Sequence, residues 1–322
     1  MLEPARRVTD SRDAVDARAF HRVGAIVSGS SRLGPAEIAS SLSRILDSEA
    51  EVQVEVAYSS SEATAAASRA ARSAAVVVAV GGDGTVADVA TGIFGSGAVL
   101  AIVPAGSTNI AARSLGIPAQ PAAALALLGG SYRLRSIDVG RSDDRCFVHI
   151  AGAGFDAEVF RAASPTWKRR LGWVAYLPAA MAALRLPPSE VRVTADEAIL
   201  EARSPLVLIA NGGSAIAPQF RIYPGIAVDD SWLDVLVFTS STRTQIATTL
   251  GYAGRQQLHR SPHVMHSRAR AVTIEAAPPL PVELDGDPRG ATPRTFRIVP
   301  LGLLVVTPLE RRGGVSPSGG DQ

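Results

Sequence analysis

One short segment limits the possible folds of this chain more than any other: Gly81-Gly82-Asp83-Gly84-Thr85. An apolar run at 75–80 precedes it, and Val86, Val89, Ala90 and Ile93 follow at helical spacing. Six apolar residues ended by glycines read as a strand buried on both faces, the kind found in parallel sheets. Spacings of three, four and seven read as an amphipathic helix. The motif therefore occupies a strand-to-helix turn, where free backbone N–H groups at the helix start can face an anion. Glycine lets the main chain come close to such a ligand and take positive φ. An aspartate there repels phosphate by itself. It becomes useful when a divalent metal lies between them, or when it orders water or a hydroxyl.

Composition narrows the chemistry. With 322 residues and 47% hydrophobic content, the chain can bury two domain cores and is not disordered. A net charge of +2 makes no demand for nucleic acid. Lys168 is the only lysine, which excludes a P-loop and the strand lysine of a protein kinase. The single cysteine, Cys146, excludes an internal disulfide and a cysteine zinc cluster, and it reads as a small apolar residue. Residues 1–16 lack the apolar core of a signal peptide, and no run of 18 apolar residues predicts a membrane span.

Along the first half, strands at 24–27, 52–56, 75–80 and 99–103 alternate with helices at 35–46, 63–73 and after Thr85. That alternation predicts a doubly wound parallel sheet. Near residue 130 the rhythm changes. Short strands are expected at 133–139, 145–150, 191–194, 206–210, 233–238, 271–275, 282–285 and 295–299, with helices near 173–186 and 242–257. Many short strands separated by turn signals predict a β-rich second domain. The fold class is thus an α/β N-terminal domain followed by a β-rich, sandwich-like domain. The expected boundaries are a loose arm at 1–21, an α/β domain at 22–132 and a β-rich domain at 133–302. A return to the first domain at 303–310 and a frayed tail at 311–322 complete the chain.

A second glycine turn ends the fourth strand: Pro104-Ala105-Gly106-Ser107-Thr108-Asn109. Two such turns on neighbouring parallel strands converge where ligands bind in open α/β sheets. Ser107 and Thr108 can donate hydroxyl hydrogen bonds to phosphate oxygens, and Asn109 can cap the next helix or bind a ligand. Five motifs now stand in order: 81–85, 104–113, Gly152-Ala153-Gly154-Phe155-Asp156-Ala157, Asn211-Gly212 with Pro218 and 227–235, and Glu283-Leu284-Asp285-Gly286-Asp287. Together they span about 22–308, and in this order they resemble the diacylglycerol kinase catalytic-domain family, in particular its soluble bacterial lipid kinases.

That resemblance implies ATP and Mg2+, an active site in a cleft between the domains, and γ-phosphoryl transfer to a lipid hydroxyl, diacylglycerol first among the substrates. It implies nucleotide contacts from Gly81, Gly82, Asp83, Gly84, Thr85, Val86, Ala87, Asp88, Gly106, Ser107, Thr108 and Asn109. Asp287 is the implied base, supported by Asp285 and Asp83. A structural magnesium is implied at Ala227, Asp230 and Trp232. The basic-aromatic segment Trp167-Lys168-Arg169-Arg170-Leu171-Gly172-Trp173 suits peripheral contact with the membrane surface that presents the lipid. The expected setting is cytoplasmic, with no nucleic-acid partner and a homodimer as an open assembly.

The chain departs from the pattern at several points. Ala87 and Asp88 stand for the usual Asn and Glu, Ser107 for Thr, Ser231 for Gly, and Asp287 for Glu. Val27 is followed by Ser28-Gly29-Ser30-Ser31 where relatives carry Asn-Pro, and Ala57 or Tyr58 stands where a threonine is usual. Ile110 replaces a common acidic or Asn residue. A kinase for another lipid, such as a sphingoid base or ceramide, or for NAD, and a non-catalytic lipid- or nucleotide-binding protein are the alternatives.

Overall fold

The computed structural model describes residues 15–16, 20–154, 187–213, 222–240 and 242–309. Phe155, Asp156, Ala157, the segment 167–173, the helix expected at 173–186, Pro218, most of the expected arm and all of the tail lie outside the described residues.

After a two-residue strand, β1 (Val15–Asp16), come β2 (Arg22–Ser28), β3 (Glu51–Ala57), β4 (Val76–Gly81) and β5 (Val99–Pro104). The last four pair in parallel in the order β3-β2-β4-β5. Helices α1 (Pro35–Ile45), α2 (Ser60–Ala70), α3 (Asp83–Ile93), α4 (Ile110–Ser114) and α5 (Pro121–Ala126) connect and cover them. Strand side chains alternate between two cores. Ile26, Val77, Ala79, Leu100 and Ile102 face α2 and α3, while Val27, Val78, Val80, Ala101 and Val103 face α1 and α5. Double-sided burial is why these strands read as unbroken apolar runs. Each fully buried Val or Ile stabilises the fold by roughly 1.5–3 kcal/mol. The chain leaves β2 in one direction for β3 and returns on its other side with β4, so the ligand-binding crevice falls at the carboxyl ends of these strands.

The second half is antiparallel. It comprises β6 (Ser131–Ser142), β7 (Arg145–Phe147), β8 (Ile150–Ala153), β9 (Ser189–Ala195), β10 (Ala198–Ser204), β11 (Leu206–Ala210) and β12 (Leu233–Phe238). Then follow α6 (Arg243–Gly254), β13 (Val264–Ala269), β14 (Ala271–Ala277), β15 (Pro281–Leu284), β16 (Asp287–Ala291) and β17 (Arg294–Pro308). One sheet runs β13-β12-β11-β8-β15-β16. The other runs β10-β9-β14-β17 and continues through β5 into the parallel strands. Val193, Ile274 and Phe296 meet Val207, Val235 and Val282 between the sheets, which makes the β-rich half a sandwich.

Two differences from the expected strands have physical causes. The strand expected at 145–150 breaks at Val148 and His149, because the Asp285 carboxylate accepts the N–H groups of Val148, His149 and Ile150. The strand expected at 295–299 runs on to Pro308, past an irregularity between Val299 and Leu303 where the Asp138 carboxylate takes the Leu301 N–H at 2.8 Å. Among the described residues, no helix is long and apolar enough to cross a membrane.

Candidate functional site

The two glycine turns lie side by side because Gly81 of β4 pairs with Pro104 of β5. Their main chains almost touch. A Cβ on Gly106 would come within 2.5 Å of the Gly82 Cα. Asp83 is the first residue of α3, where a negative charge suits the helix dipole. Its carboxylate crosses to the second turn, accepting the Thr108 hydroxyl at 2.9 Å and the Ala111 N–H at 3.0 Å. Asp83 therefore caps α4 from the start of the neighbouring helix α3 and clamps the two turns together.

This arrangement changes several expected roles. The Thr108 hydroxyl proton is directed to Asp83, so the exposed Ser107 is the hydroxyl donor left facing outward. Asn109 does not cap α4 with its side chain. It sits at φ 48° and closes its own turn, accepting the Gly106 N–H at 3.0 Å and donating to the Gly106 carbonyl at 2.9 Å. Val86 and Ala87 are buried in α3, with Val86 in the core against α2, so their side chains do not reach the turn surface.

The β15–β16 hairpin carries the acidic motif into this crevice. Asp285 and Gly286 take φ values of 49° and 87°, both left-handed, as a two-residue hairpin turn of the Asp-Gly type requires. The local sequence thus forms the hairpin turn that its Asp-Gly pair suggests. Asp285 does not face the crevice as a base. Both its oxygens accept backbone N–H groups, at 2.7 Å from Val148, 3.0 Å from His149 and 2.9 Å from Ile150. Burial of this inward-turned carboxyl pushes it up to about 7, against the pull of the three N–H donors. Asp285 thus fixes the hairpin to the break between β7 and β8. Glu283 adds a second brace by accepting the Gly286 N–H at 2.6 Å.

Asp287, by contrast, projects over the first glycine turn. Its Oδ2 would lie 3.2 Å from a Cβ placed on Gly84. Two guanidinium groups flank it: Arg145 Nη2 at 3.8 Å and Arg289 Nη2 at 3.6 Å from Oδ2. Arg145 also pairs with the buried Asp88, which accepts the Ser60 hydroxyl at 2.6 Å. Arg289 in turn donates to Ser60 Oγ at 2.9 Å. Burial raises the Asp88 carboxyl above its ordinary value, while Ser60 and Arg145 pull it down. Asp88 is thereby a support for Arg145 rather than a ligand group.

Sequence reading missed Ser60, Arg145 and Arg289. One signal was available for each arginine. Arg145 is a charge at the head of the apolar run Cys146-Phe147-Val148, and Arg289 shares a strand face with Asp287 at a spacing of two.

The 227–232 loop does not fit the magnesium that the family pattern implies. Asp230, the only carboxylate among Ala227, Asp230 and Trp232, pairs with the Arg268 guanidinium. It also accepts the Trp232 N–H at 3.0 Å and the Ala227 N–H at 3.4 Å. Arg268 reaches Asp234 at 3.5 Å as well, and Arg270 lies over the Trp232 ring at 5.1 Å. A divalent ion here would share its carboxylate with a guanidinium in contact, and like charges oppose that. Ser231 takes φ 66°, the left-handed backbone for which a glycine is suited, and its N–H donates to Asp138 at 2.6 Å.

An α/β unit with two clamped glycine turns, faced by a carboxylate hairpin from a β-sandwich, is the pattern against which comparison is informative. Residues 27–142 match the diacylglycerol kinase catalytic domain, and residues 149–307 match the YegS C-terminal NAD kinase beta sandwich-like domain. A probable lipid kinase YegS-like protein of Pseudomonas aeruginosa is 34% identical over 73% of this chain and 77% of its own length. The diacylglycerol kinase of Bacillus subtilis is 27% identical over 73% of this chain and 78% of its own. An uncharacterized protein of Synechocystis is 28% identical, the match covering 73% of this chain but 55% of that one. A crystal structure of a diacylglycerol kinase from Bacillus anthracis superposes with a TM-score of 0.70 at 23% identity, covering 90% of this chain and 97% of that one. The chain belongs to the diacylglycerol kinase catalytic-domain family, with the YegS-type sandwich as its second domain.

Proposed function

We propose that this protein is an ATP-dependent lipid kinase that converts diacylglycerol to phosphatidic acid at a membrane surface. The observation that carries this reading is Asp287 Oδ2, delivered by the sandwich hairpin to within 3.2 Å of the Cβ position of Gly84 on the first glycine turn. A base must come within roughly 2.6–3.2 Å of the proton it takes, beside the group being transferred. The clamped turns would hold the triphosphate with backbone N–H groups at the start of α3 and with Ser107. The lipid hydroxyl gives its proton to Asp287 as its oxygen attacks the γ-phosphorus. The bond from that phosphorus to the β–γ bridging oxygen breaks, and ADP leaves with the electron pair. Magnesium, when bound with the nucleotide beside Asp287, neutralises phosphate charge. Arg145 and Arg289 flank the same carboxylate and supply positive charge in a chain with one lysine.

The test is phosphoryl transfer from labelled ATP to a panel of diacylglycerol, sphingosine, ceramide and phosphatidylglycerol, with NAD as a soluble comparison. Label is expected in phosphatidic acid. Asp287→Asn is expected to lower turnover about 10²–10⁴-fold, the usual contribution of a positioned base, while ATP affinity stays within a few-fold. Transfer to NAD, or full turnover by Asp287→Asn, would refute the assignment.

A further inference from the structure

Tyr58 is the most exposed large apolar side chain among the described residues, at 81%. It directly follows β3, at the carboxyl edge of the parallel sheet, and precedes the Ser59 cap of α2. An aromatic residue before a helix cap often packs back onto the first turns as a hydrophobic staple. Its partner here would be Ala63, which is buried, while Tyr58 stands in solvent, so a staple does not account for it. Its backbone is nevertheless fixed, because the Tyr58 N–H donates to Glu62 Oε2 at 2.8 Å. The ring has a seat as well. A Cβ on Gly29 would lie 2.3 Å from Tyr58 Cδ1, so the ring rests directly on the glycine of the Ser28-Gly29-Ser30-Ser31 loop. One side of the ring is held against main chain and the other is open.

The position matters as much as the exposure. Ala57 pairs with Ser28, and Val27 pairs with Val80, one residue before Gly81. Tyr58 thus stands two strand spacings, about 10 Å, from the first glycine turn along the same sheet edge. A nucleoside triphosphate spans that separation between its terminal phosphates and its base. The start of α2 also borders the crevice, since Ser60 bonds to Asp88 and Arg289.

We propose that Tyr58 is the stacking platform for the nucleobase. This deepens the ATP-dependent reading above and rests on it. An aromatic face attracts any base, because every base has a π-face, and it supplies no hydrogen bond that would tell adenine from guanine. The neighbouring Ser28 and Ser30 hydroxyls lie 2.9 Å apart, and each can donate or accept, so they add little discrimination. The site therefore accepts ATP and GTP with similar affinity.

The experiment is isothermal titration of the full-length chain with MgATP, MgGTP and magnesium tripolyphosphate, using wild type, Tyr58→Ala and Tyr58→Phe. Tyr58→Ala is expected to weaken ATP and GTP by about 5- to 150-fold, the usual loss on deleting one stacking aromatic. Tripolyphosphate affinity and the melting midpoint should not change, and Tyr58→Phe should behave as wild type. Unchanged ATP affinity in Tyr58→Ala overturns the proposal and leaves the kinase reading standing. So does an equal loss for tripolyphosphate, or a loss in Tyr58→Phe as large as in Tyr58→Ala. A loss confined to ATP overturns the relaxed base preference. Wild-type protein that binds no ATP at all overturns the kinase reading and this inference with it.

Discussion

Arg145 is a buried cation whose removal would expose how the site is supported. Its side chain is 11% accessible and that of its partner Asp88 is 9%. Removing one member of such a pair leaves an uncompensated charge, at a typical cost of about 3–5 kcal/mol. Arg145→Met is therefore expected to lower stability by that order, and the double variant Arg145→Met/Asp88→Asn to recover much of it. The pH dependence has a definite sign. Burial already raises the folded-state Asp88 carboxyl above its ordinary 3.8, and losing Arg145 removes an opposing pull. The folded single variant then holds a proton that the unfolded chain has released, so its stability should fall as pH rises from about 4 upward. Urea unfolding of both variants at pH 5 and pH 8 decides the matter, and a flat profile for the single variant would contradict it. At this scale the sequence showed Asp83, Asp287 and the glycines, because each is unusual within its own loop. It did not show that Arg145 meets Asp88, 57 positions away, or that Arg289 meets Ser60, 229 positions away. Such pairs exist only once the sheets are assembled.

The elements were legible where burial left a period. The buried parallel strands and α1 to α3 stand close to their expected places, because apolar runs and helical spacing report double- or single-sided burial directly. The strands β10, β13 and β16 were not read, since each mixes polar and apolar residues and has few or no fully buried positions, which leaves only a weak period in the sequence. Backbone contact between loops is equally hidden from the sequence, although glycine marks where to look. A methyl group on Gly106 would meet the Gly82 Cα at 2.5 Å, a contact that no side-chain rotation relieves. Gly106→Ala should thus part the two turns and stretch the Asp83 bonds to Thr108 and Ala111. The expected result is at least tenfold weaker binding of MgATP by titration, with Gly251→Ala, in α6 where only the end of the Arg255 side chain comes within 4 Å, serving as a backbone control. Equal affinity for Gly106→Ala and wild type would mean that the close approach of the turns is not needed for binding.

At the scale of the molecule, the two halves are not joined by a linker alone. β17 pairs with β14 in the sandwich through Arg294 to Arg297, and its Val305 lies beside Leu100 of β5 in the parallel sheet. The core beneath α2 and α3 mixes Ile26, Leu100 and Val89 with Ile137, Val148, Val228 and Leu303 from beyond the α/β layer. Asp138 adds polar ties, accepting the Ser231 N–H at 2.6 Å and the Leu301 N–H at 2.8 Å, so the 227–232 loop is fastened to the same junction. Sequence composition marked a change of rhythm near residue 130 and so suggested two units. It could not weigh how much apolar surface the units share, because shared surface depends on which strand lies beside which. Unfolding one half would strip the junction residues of their partners, and the free energy of that exposure couples the halves. Calorimetry of the full chain is therefore expected to give one cooperative transition, with the calorimetric and van't Hoff enthalpies equal. The same experiment reads the junction loop. With Arg268 as the cation beside Asp230, EDTA should leave the midpoint unchanged. Two resolved transitions would show that β17 does not couple the halves, and a midpoint that falls with EDTA would place a divalent ion where the structure has a guanidinium.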